Sequence, residues 1–281
     1  MRILVTGASS QIGDFLLPRL ISAGHDVHAV SRAARDAGPR VTWFQADLGQ
    51  PEALVQAAGS CSAVIHLAPI WSLPAHLSDL ARAGVRRIVA LSSTSRFGKE
   101  NSRDPAEQVL VRRLVDAEQH LEEVGGRLDL CRTVLRPTLI YGRARDKNVS
   151  SIARFVRRFG FFPIAGAGSG LRQPVHADDL AQAVCAVLES DITCGRSYNL
   201  GGSEILSYRR MVERISESVG RGSRLIPLPL GPLRLLLRLL SILPRFRYVK
   251  PEMADRMNRD MVYNHEDAVR DFGYAPRGFR P

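Results

Sequence analysis

Arg2-Ile3-Leu4-Val5-Thr6-Gly7-Ala8-Ser9-Ser10-Gln11-Ile12-Gly13 decides how the rest of the chain is read. Arg2 to Val5 is a short aliphatic run of the kind buried on both faces of a parallel sheet. It stops at small residues that open a helix carrying Ile12, Phe15, Leu16, Leu17 and Leu20. Gly24 ends that helix, and Asp26-Val27-His28-Ala29-Val30-Ser31-Arg32 follows as the next strand. A strand, glycine turn and helix in this order let the backbone approach a pyrophosphate, whose charge is held by free N–H groups at the helix N-terminus. The expected ligand is a dinucleotide. Ser10 stands where the usual fingerprint has its middle glycine, so only Gly7 and Gly13 occupy glycine positions, and the turn taken alone also fits an ordinary strand-to-helix junction.

Further along, Val41-Thr42-Trp43-Phe44-Gln45-Ala46 reads as a third strand with Asp47-Leu48 at its carboxyl end. Ligands of open α/β sheets bind beyond strand ends. Asp47 is therefore placed to hydrogen-bond an adenine amino group while Leu48 packs on the ring; Asp47 also suits a helix N-cap ahead of Pro51-Glu52. Ala63 to Ala68 is a fourth strand, with Ala68 expected close to the cofactor. A helix over about 73–83 leads to a fifth strand, Arg87-Ile88-Val89-Ala90-Leu91, which runs into Ser92-Ser93-Thr94-Ser95. Pro105 opens a long helix to about Val124, and Leu128 to Leu135 forms a sixth strand. Strands alternating with helices predict an α/β fold with a doubly wound parallel sheet.

Beyond Arg136-Pro137-Thr138-Leu139-Ile140-Tyr141-Gly142 the composition changes. A basic helix over 149–158 precedes the Gly-rich Ala165 to Gly170, and Asp178 and Asp179 are expected to cap a helix from Leu180 to Leu188. A further helix is expected over 208–219. The division expected is a dinucleotide-binding body, 1–142, and a small C-terminal substrate lobe, 143–281, with 174–202 returning to the body. The run Leu233 to Leu243 is the most apolar stretch, too short to span a bilayer. Arg234 and Arg238 share one face of it. Core packing, a homodimer face, a lid over an apolar substrate and a peripheral membrane anchor all remain open readings.

The formal charge of +11 favours anionic ligands such as nucleotides, phosphates or sugar diphosphates, an anionic small-molecule substrate among them, and fits an acidic membrane surface or nucleic acid equally. No basic tail or base-stacking motif accompanies it, so nucleic acid is not expected as a partner. Cys61, Cys131, Cys185 and Cys194 lie far apart without a Cys-x-x-Cys pair, which predicts reduced thiols rather than disulfides or zinc. With the first strand beginning at Arg2 there is no room for a signal peptide, and a cytoplasmic location is expected.

Taken in order, these segments resemble the extended short-chain dehydrogenase/reductase family, also called the NAD-dependent epimerase/dehydratase family. The resemblance rests on Thr6-Gly7-Ala8 with Gly13, Asp47-Leu48, His66-Leu67-Ala68, Ser92-Ser93, Arg136-Pro137 with Tyr141-Gly142, Pro174 to Ala181, and Tyr198-Asn199-Leu200-Gly201-Gly202. It implies a Rossmann-type body whose cofactor is held by Gly7, Ser9, Ser10, Gln11, Ile12, Gly13, Ser31, Arg32, Asp47, Leu48, Leu67, Ala68, Pro69, Pro137 and Thr138. It also implies a nucleotide-sugar or related hydroxy or keto substrate.

The family's catalytic pair is Tyr-x-x-x-Lys on the long helix. Counting back from Glu118, which matches a glutamate four places after that lysine, puts Leu114 at the lysine and Leu110 at the tyrosine; no tyrosine or lysine occurs from Asn101 to Gly125. The chain therefore resembles the atypical branch. One reading is an oxidoreductase or epimerase-like enzyme using Ser92, Ser93, Thr94, Lys99 or Arg96, and Tyr141 around the same nicotinamide. The other is a non-catalytic dinucleotide-binding sensor, scaffold or assembly factor.

The second strand ends in Ser31-Arg32, with Arg35 one turn on, where an acidic residue would grip the ribose hydroxyls of NAD. A hydroxyl and a guanidinium suit a 2′-phosphate, so NADP(H) is expected over NAD(H). Arg143, Arg145, Lys147, Arg154, Arg157 and Arg158 are candidates to meet a substrate diphosphate or to form a solvated face. His176 with Asp178 and Asp179 reads as a helix cap, and no metal is expected.

Overall fold

The computed structural model describes residues 1–50, 52–146, 148–220, 222, 224–242 and 250–281; Pro51, Lys147 and Leu243, each named above, lie outside them. In chain order the elements are β1 (Arg2–Thr6), α1 (Gly13–Ser22), β2 (Asp26–Ser31), β3 (Val41–Gln45), α2 (Val55–Ala58), β4 (Ala63–His66), α3 (Leu77–Arg82), β5 (Arg87–Leu91), α4 (Ser95–Gly98), α5 (Pro105–Arg127) and β6 (Cys131–Pro137). There follow β7 (Ile140–Tyr141), α6 (Val149–Phe159), β8 (Phe162–Ala165), β9 (Leu171–Arg172), β10 (Val175–His176), α7 (Ala177–Leu188), β11 (Arg196–Leu200), β12 (Leu206–Ser207), α8 (Tyr208–Ser218), β13 (Leu225–Leu228), α9 (Leu230–Ile242), α10 (Glu252–Arg256) and α11 (Glu266–Phe272).

Seven strands form one parallel sheet in the order β11-β6-β5-β4-β1-β2-β3. The chain winds outward from β1 to β3, then crosses back to β4 and continues the other way, so the winding reverses between β1 and β4. Successive side chains of β1 serve opposite faces. Ile3 and Val5 pack with Leu16 and Leu20 of α1 and Leu180 and Val184 of α7. Leu4 packs on the other side with Leu73, Leu77, Leu114 and Leu121. All three β1 residues are fully buried, which is why the run carries no polar alternation. In the C-terminal part, β7 pairs with β10, β9 with β12 and β8 with β13.

Several expectations are corrected. The sixth strand starts at Cys131 because α5 continues to Arg127 and Asp129 turns the chain at φ 52°. The helix expected from Leu73 begins as two short 3₁₀ turns and becomes α-helical only at Leu77. Asp178 and Asp179 are not caps: α7 starts at Ala177, and the His176 ring accepts from the Asp178 amide at 3.1 Å. Their carboxylates are thereby free to grip Arg19 and Arg277 at 2.6 Å.

The expectation of four reduced thiols is also overturned. Cys131 and Cys194 are joined as a disulfide, with Cα atoms 4.9 Å apart, while Cys61 and Cys185 are free. Parallel pairing of β11 with β6 brings these cysteines to the same end of neighbouring strands, a proximity hidden by 63 residues of separation. Thiol titration in denaturant should find two groups without reductant and four after reduction. Closing a loop of that length contributes about 4 kcal/mol in the chain-entropy account, so reduction should lower Tm by roughly 5–10 °C.

Candidate functional site

Because every strand of the sheet is parallel, all seven carboxyl ends open on one edge. The expected cofactor residues follow the ends of five strands there: 7–13 after β1, Ser31-Arg32 at β2, Asp47-Leu48 after β3, 67–69 after β4, and Pro137-Thr138 at β6; the catalytic candidates Ser92-Ser93-Thr94 follow β5. β1 and β4 meet at the reversal, where a crevice opens in folds of this winding.

At that point the chain is packed to the limit of backbone contact. A Cβ on Gly7 would stand 2.6 Å from the Ala68 nitrogen and 2.8 Å from the Leu67 carbonyl carbon, and Gly7 has φ +63°. A Cβ on Gly13 would meet the Ala8 carbonyl oxygen at 2.0 Å. These two glycines hold the turn flat against β4 and against itself. Ser10 replaces the third without obstructing it: its amide donates to Gly7 O at 2.9 Å, and its hydroxyl accepts from the Gly13 amide at 3.2 Å. Among the described residues, the amides of Gln11 and Ile12 donate to no backbone carbonyl, and the Gln11 side-chain oxygen is buried without a partner. Unpaired donors at a helix start and one orphaned acceptor fit an anion that also carries hydroxyls, as a dinucleotide does.

Beneath the turn, Thr6 Oγ1 bonds His66 Nδ1 at 2.7 Å, and the other ring nitrogen lies 3.2 Å from Pro69 O. His66 is fully buried, and burial holds its pKa down at about 4, so it is neutral at pH 7. This imidazole ties the ends of β1 and β4 to the segment expected over the cofactor.

At the β2 end, the Ser31 hydroxyl accepts from the Ala33 amide at 3.2 Å, Gln45 Nε2 donates to Arg32 O at 3.1 Å, and the Arg32 side chain is exposed. Arg35 stacks over Trp43 at 5.0 Å. Asp47 caps no helix among the described residues, where the next one after it begins at Val55; its carboxylate accepts from the Gly49 amide at 3.0 Å and turns the chain. His76 Nε2 lies 3.1 Å from Leu48 O.

The hydroxyls after β5 are not equivalent. Ser92 donates to Glu118, Thr94 donates to Pro137 O at 3.1 Å, and Ser93 accepts from the Ser95 amide at 3.1 Å. Among the described residues, Ser93 is the one of the three whose hydroxyl donates to no partner. Glu118 is buried, held also by Arg96 and by Arg136, whose Nε lies at 2.9 Å and Nη2 at 2.5 Å. Leu114, one turn before it on α5, is buried in the core with Leu73 and Leu77, and Leu110, two turns before it, packs half-buried against the same cluster.

Lys99 and Tyr141 are not drawn into this cluster. Lys99 pairs with Glu107 at 3.0 Å, a carboxylate also gripped by Arg256 at 2.7 Å. Tyr141 is buried against His176 and Phe279, its hydroxyl donating to Gly278 O at 3.4 Å and accepting from the Arg280 amide at 3.2 Å. Burial pushes its phenol above the usual value. Thr138 donates to Gln173 O and so joins β6 to the segment before β10.

The basic candidates also separate. Arg145 donates to Asp14 at 2.8 Å and to Ser9 O at 2.7 Å, and Arg143 stacks over Phe15 at 4.8 Å. Both thus sit on the glycine turn and its helix. Arg143 and Ala144 take φ values of 54° and 52° to fold the loop there. Arg154 turns back to Ser150 O and Ser151, and Arg158 lies over Phe159. The Arg145 link was not legible in sequence, since 131 residues separate it from Asp14.

The NAD dependent epimerase/dehydratase family profile matches residues 3–81 and 72–201. A relative from Sinorhizobium fredii, y4nG, is 26% identical over 98% of this chain and 74% of its own length. The 2-alkyl-3-oxoalkanoate reductase of Stenotrophomonas maltophilia is 26% identical over 99% of this chain and 95% of its own. Relatives from Mycobacterium bovis and Mycobacterium tuberculosis are 29% identical over 99% of the chain, which spans only 30% of their length. Among solved structures, MoeE5 in complex with UDP-glucose and NAD superposes with a TM-score of 0.75 at 21% identity, over 99% of this chain and 94% of that one.

The buried imidazole sets a pH dependence. His66 is depressed in the folded state, so its contribution to stability is full above its unfolded value of 6.5 and is lost as pH falls toward about 4. That loss amounts to roughly 3 kcal/mol. Urea unfolding across this window should show the slope in the native chain and a shallower one in His66→Asn.

Proposed function

We propose that the chain, which belongs to the NAD dependent epimerase/dehydratase family, is an NADP(H)-preferring oxidoreductase of a hydroxy or keto substrate bearing an anionic group. The carrying observation is the Gly7–Gly13 turn, pressed against Leu67-Ala68 at the reversal of the sheet with unpaired amides at its rim. Gln11, Ile12 and the turn backbone would hold the pyrophosphate, Ser31 and Arg32 the 2′-phosphate, and Asp47 with Leu48 the adenine. The bound dinucleotide supplies hydride exchange with the substrate carbon.

Without the Tyr/Lys pair, the group assigned to the substrate oxygen is Ser93, because its proton is the one not given to the protein. Arg96, fixed by Glu118, lends positive charge to the same strand end. Lys99 and Tyr141 become supporting residues in this reading. A reductase whose full length the chain nearly matches favours a keto substrate; a nucleotide sugar is the other arm, by analogy with the UDP-glucose held by MoeE5.

A second reading, a dinucleotide-binding sensor or scaffold without turnover, draws on Leu110 and Leu114, which seal into the core the positions that otherwise carry the catalytic pair. The readings separate by NADPH oxidation assayed against a panel of 3-oxo acids and keto sugars. Turnover supports the enzyme; tight binding with no turnover across the panel supports the sensor; absence of binding by either reduced nucleotide overturns both. Arg32→Ala should weaken NADPH at least about tenfold while leaving NADH nearly unchanged, and equal losses would remove the NADP(H) assignment. Ser93→Ala should lower kcat by roughly 10²-fold with nucleotide binding retained.

A further inference from the structure

Helix α9 is built with two apolar sides, and only one of them is used by the fold. Leu233 is 1% exposed and Leu237 half-buried, both packed on the cluster of Ile164, Ala165, Ala254 and Met257. On the opposite side Leu235 is 59% exposed, Leu236 43%, Leu239 56% and Ile242 73%. At 3.6 residues per turn, Leu235, Leu239 and Ile242 fall within an arc of roughly 60°, which Leu236 widens to roughly 120°. Arg234 and Arg238 follow one another along one flank of that arc. Arg234 is tied to Asp255, whereas Arg238 is exposed and, among the described residues, its side chain has no ion pair or hydrogen bond.

We propose that this face of α9 docks on an anionic phospholipid surface, laying the helix in the plane of the bilayer. A convex helix with leucines on its outer arc and guanidiniums along the margin suits an interface in which apolar side chains enter the acyl boundary and arginines reach up to phosphates. Thirteen residues span only about 20 Å, so the helix lies on the membrane rather than across it; no helix among the described residues is long and apolar enough to cross. The formal charge of +11 adds long-range attraction to the same surface. A second copy of the chain would cover the leucines equally well, but α9 itself carries no carboxylate to pair Arg238 across a twofold contact, and Asp255 beside it is already taken by Arg234.

The test is co-sedimentation of the full chain with vesicles of phosphatidylglycerol and phosphatidylcholine in equal parts, beside vesicles of phosphatidylcholine alone. The expected result is binding to the mixed vesicles at least about tenfold tighter than to the neutral ones, weakened by salt at about 0.5 M. Leu235→Glu with Leu239→Glu should abolish it, Arg238→Glu should erase the preference for the anionic lipid, and Ile242→Glu gives an independent single change on the same stripe. These side chains are exposed, so the variants should keep the native Tm. Lack of binding to the anionic vesicles, or binding unaltered by the leucine and isoleucine variants, overturns the proposal. A dimer in sedimentation that the same substitutions dissociate, without vesicle binding, overturns it in favour of a second copy. Nucleotide titration of the same samples reports on the cofactor site separately.

Discussion

Everything at the working edge of this protein depends on how closely Gly7 approaches the backbone of Leu67 and Ala68. Two parallel strands lie side by side with chain leaving each in opposite senses, and the two exits are in contact with no side chain between them. Any Cβ at Gly7 would drive β1 and β4 apart at the point where the crevice opens. The Thr6–His66 bond locks the same pair from below, and its strength comes from burial: with water excluded, a neutral imidazole linked to a hydroxyl on one side and a carbonyl on the other has no better partners. Gly13 repeats the device within the turn by lying on Ala8. The turn can therefore present amides outward in one conformation, because its other atoms have no room to move.

The positive charge of the chain is distributed differently from what composition alone conveys. Many of the guanidiniums near the working edge are engaged by carboxylates of the protein itself. Glu118 takes Arg96 and Arg136, Glu107 takes Arg256 and Lys99, Asp178 and Asp179 share Arg277, and Asp14 holds Arg145. Such pairs fix geometry more than they add stability, since desolvation offsets much of their attraction. The consequence is a set of rigid joints: β5 to β6 through Glu118, α7 to the C-terminal segment through Asp179, and the loop after β7 to the glycine turn through Arg145. Arg145 is the most telling. A basic residue weighed in sequence between a substrate diphosphate and a solvated face latches the C-terminal half onto the turn where the cofactor is expected.

The legible part of the fold was the part governed by local sequence. Runs such as Ile3-Leu4-Val5 and Ile88-Val89-Ala90-Leu91 announce buried parallel strands because no polar residue can be tolerated on either face. Pro105 announces a helix start, and α5 begins there, with Asp104 accepting from the Ala106 amide at 3.0 Å as a cap that the sequence reading did not name. The illegible part was set by contacts distant in sequence. β11, with Arg196 and Ser197 exposed, has no apolar run to mark it and is a strand because β6 offers an open edge. The same pairing produces the Cys131–Cys194 disulfide, which spacing alone argued against. The cap of α7 was misassigned for a different reason: two aspartates at a helix start are the usual cap signal, yet an imidazole lone pair two residues before Asp178 does that work.

No tyrosine or lysine occurs from Asn101 to Gly125, and under the proposed function this decides what the site can offer chemically. A phenol beside a cation can give up or take a proton near neutral pH, whereas a serine hydroxyl cannot, because its own ionisation lies far above that range. In the proposed reaction Ser93 therefore works as a fixed hydrogen-bond donor that polarises and orients the substrate oxygen. Proton delivery then falls to water reaching the strand end. That assignment is consistent with the surroundings: Ser92 and Thr94 on either side are tied to Glu118 and Pro137 O, which fixes the backbone at Ser93 and directs its one free proton without requiring a titrating neighbour. Leucines at 110 and 114 suit the same arrangement. Leu114 and the partly buried Leu110 pack α5 into the same core as Leu73 and Leu77, and one turn on from Leu114 Glu118 binds Arg96, Arg136 and Ser92.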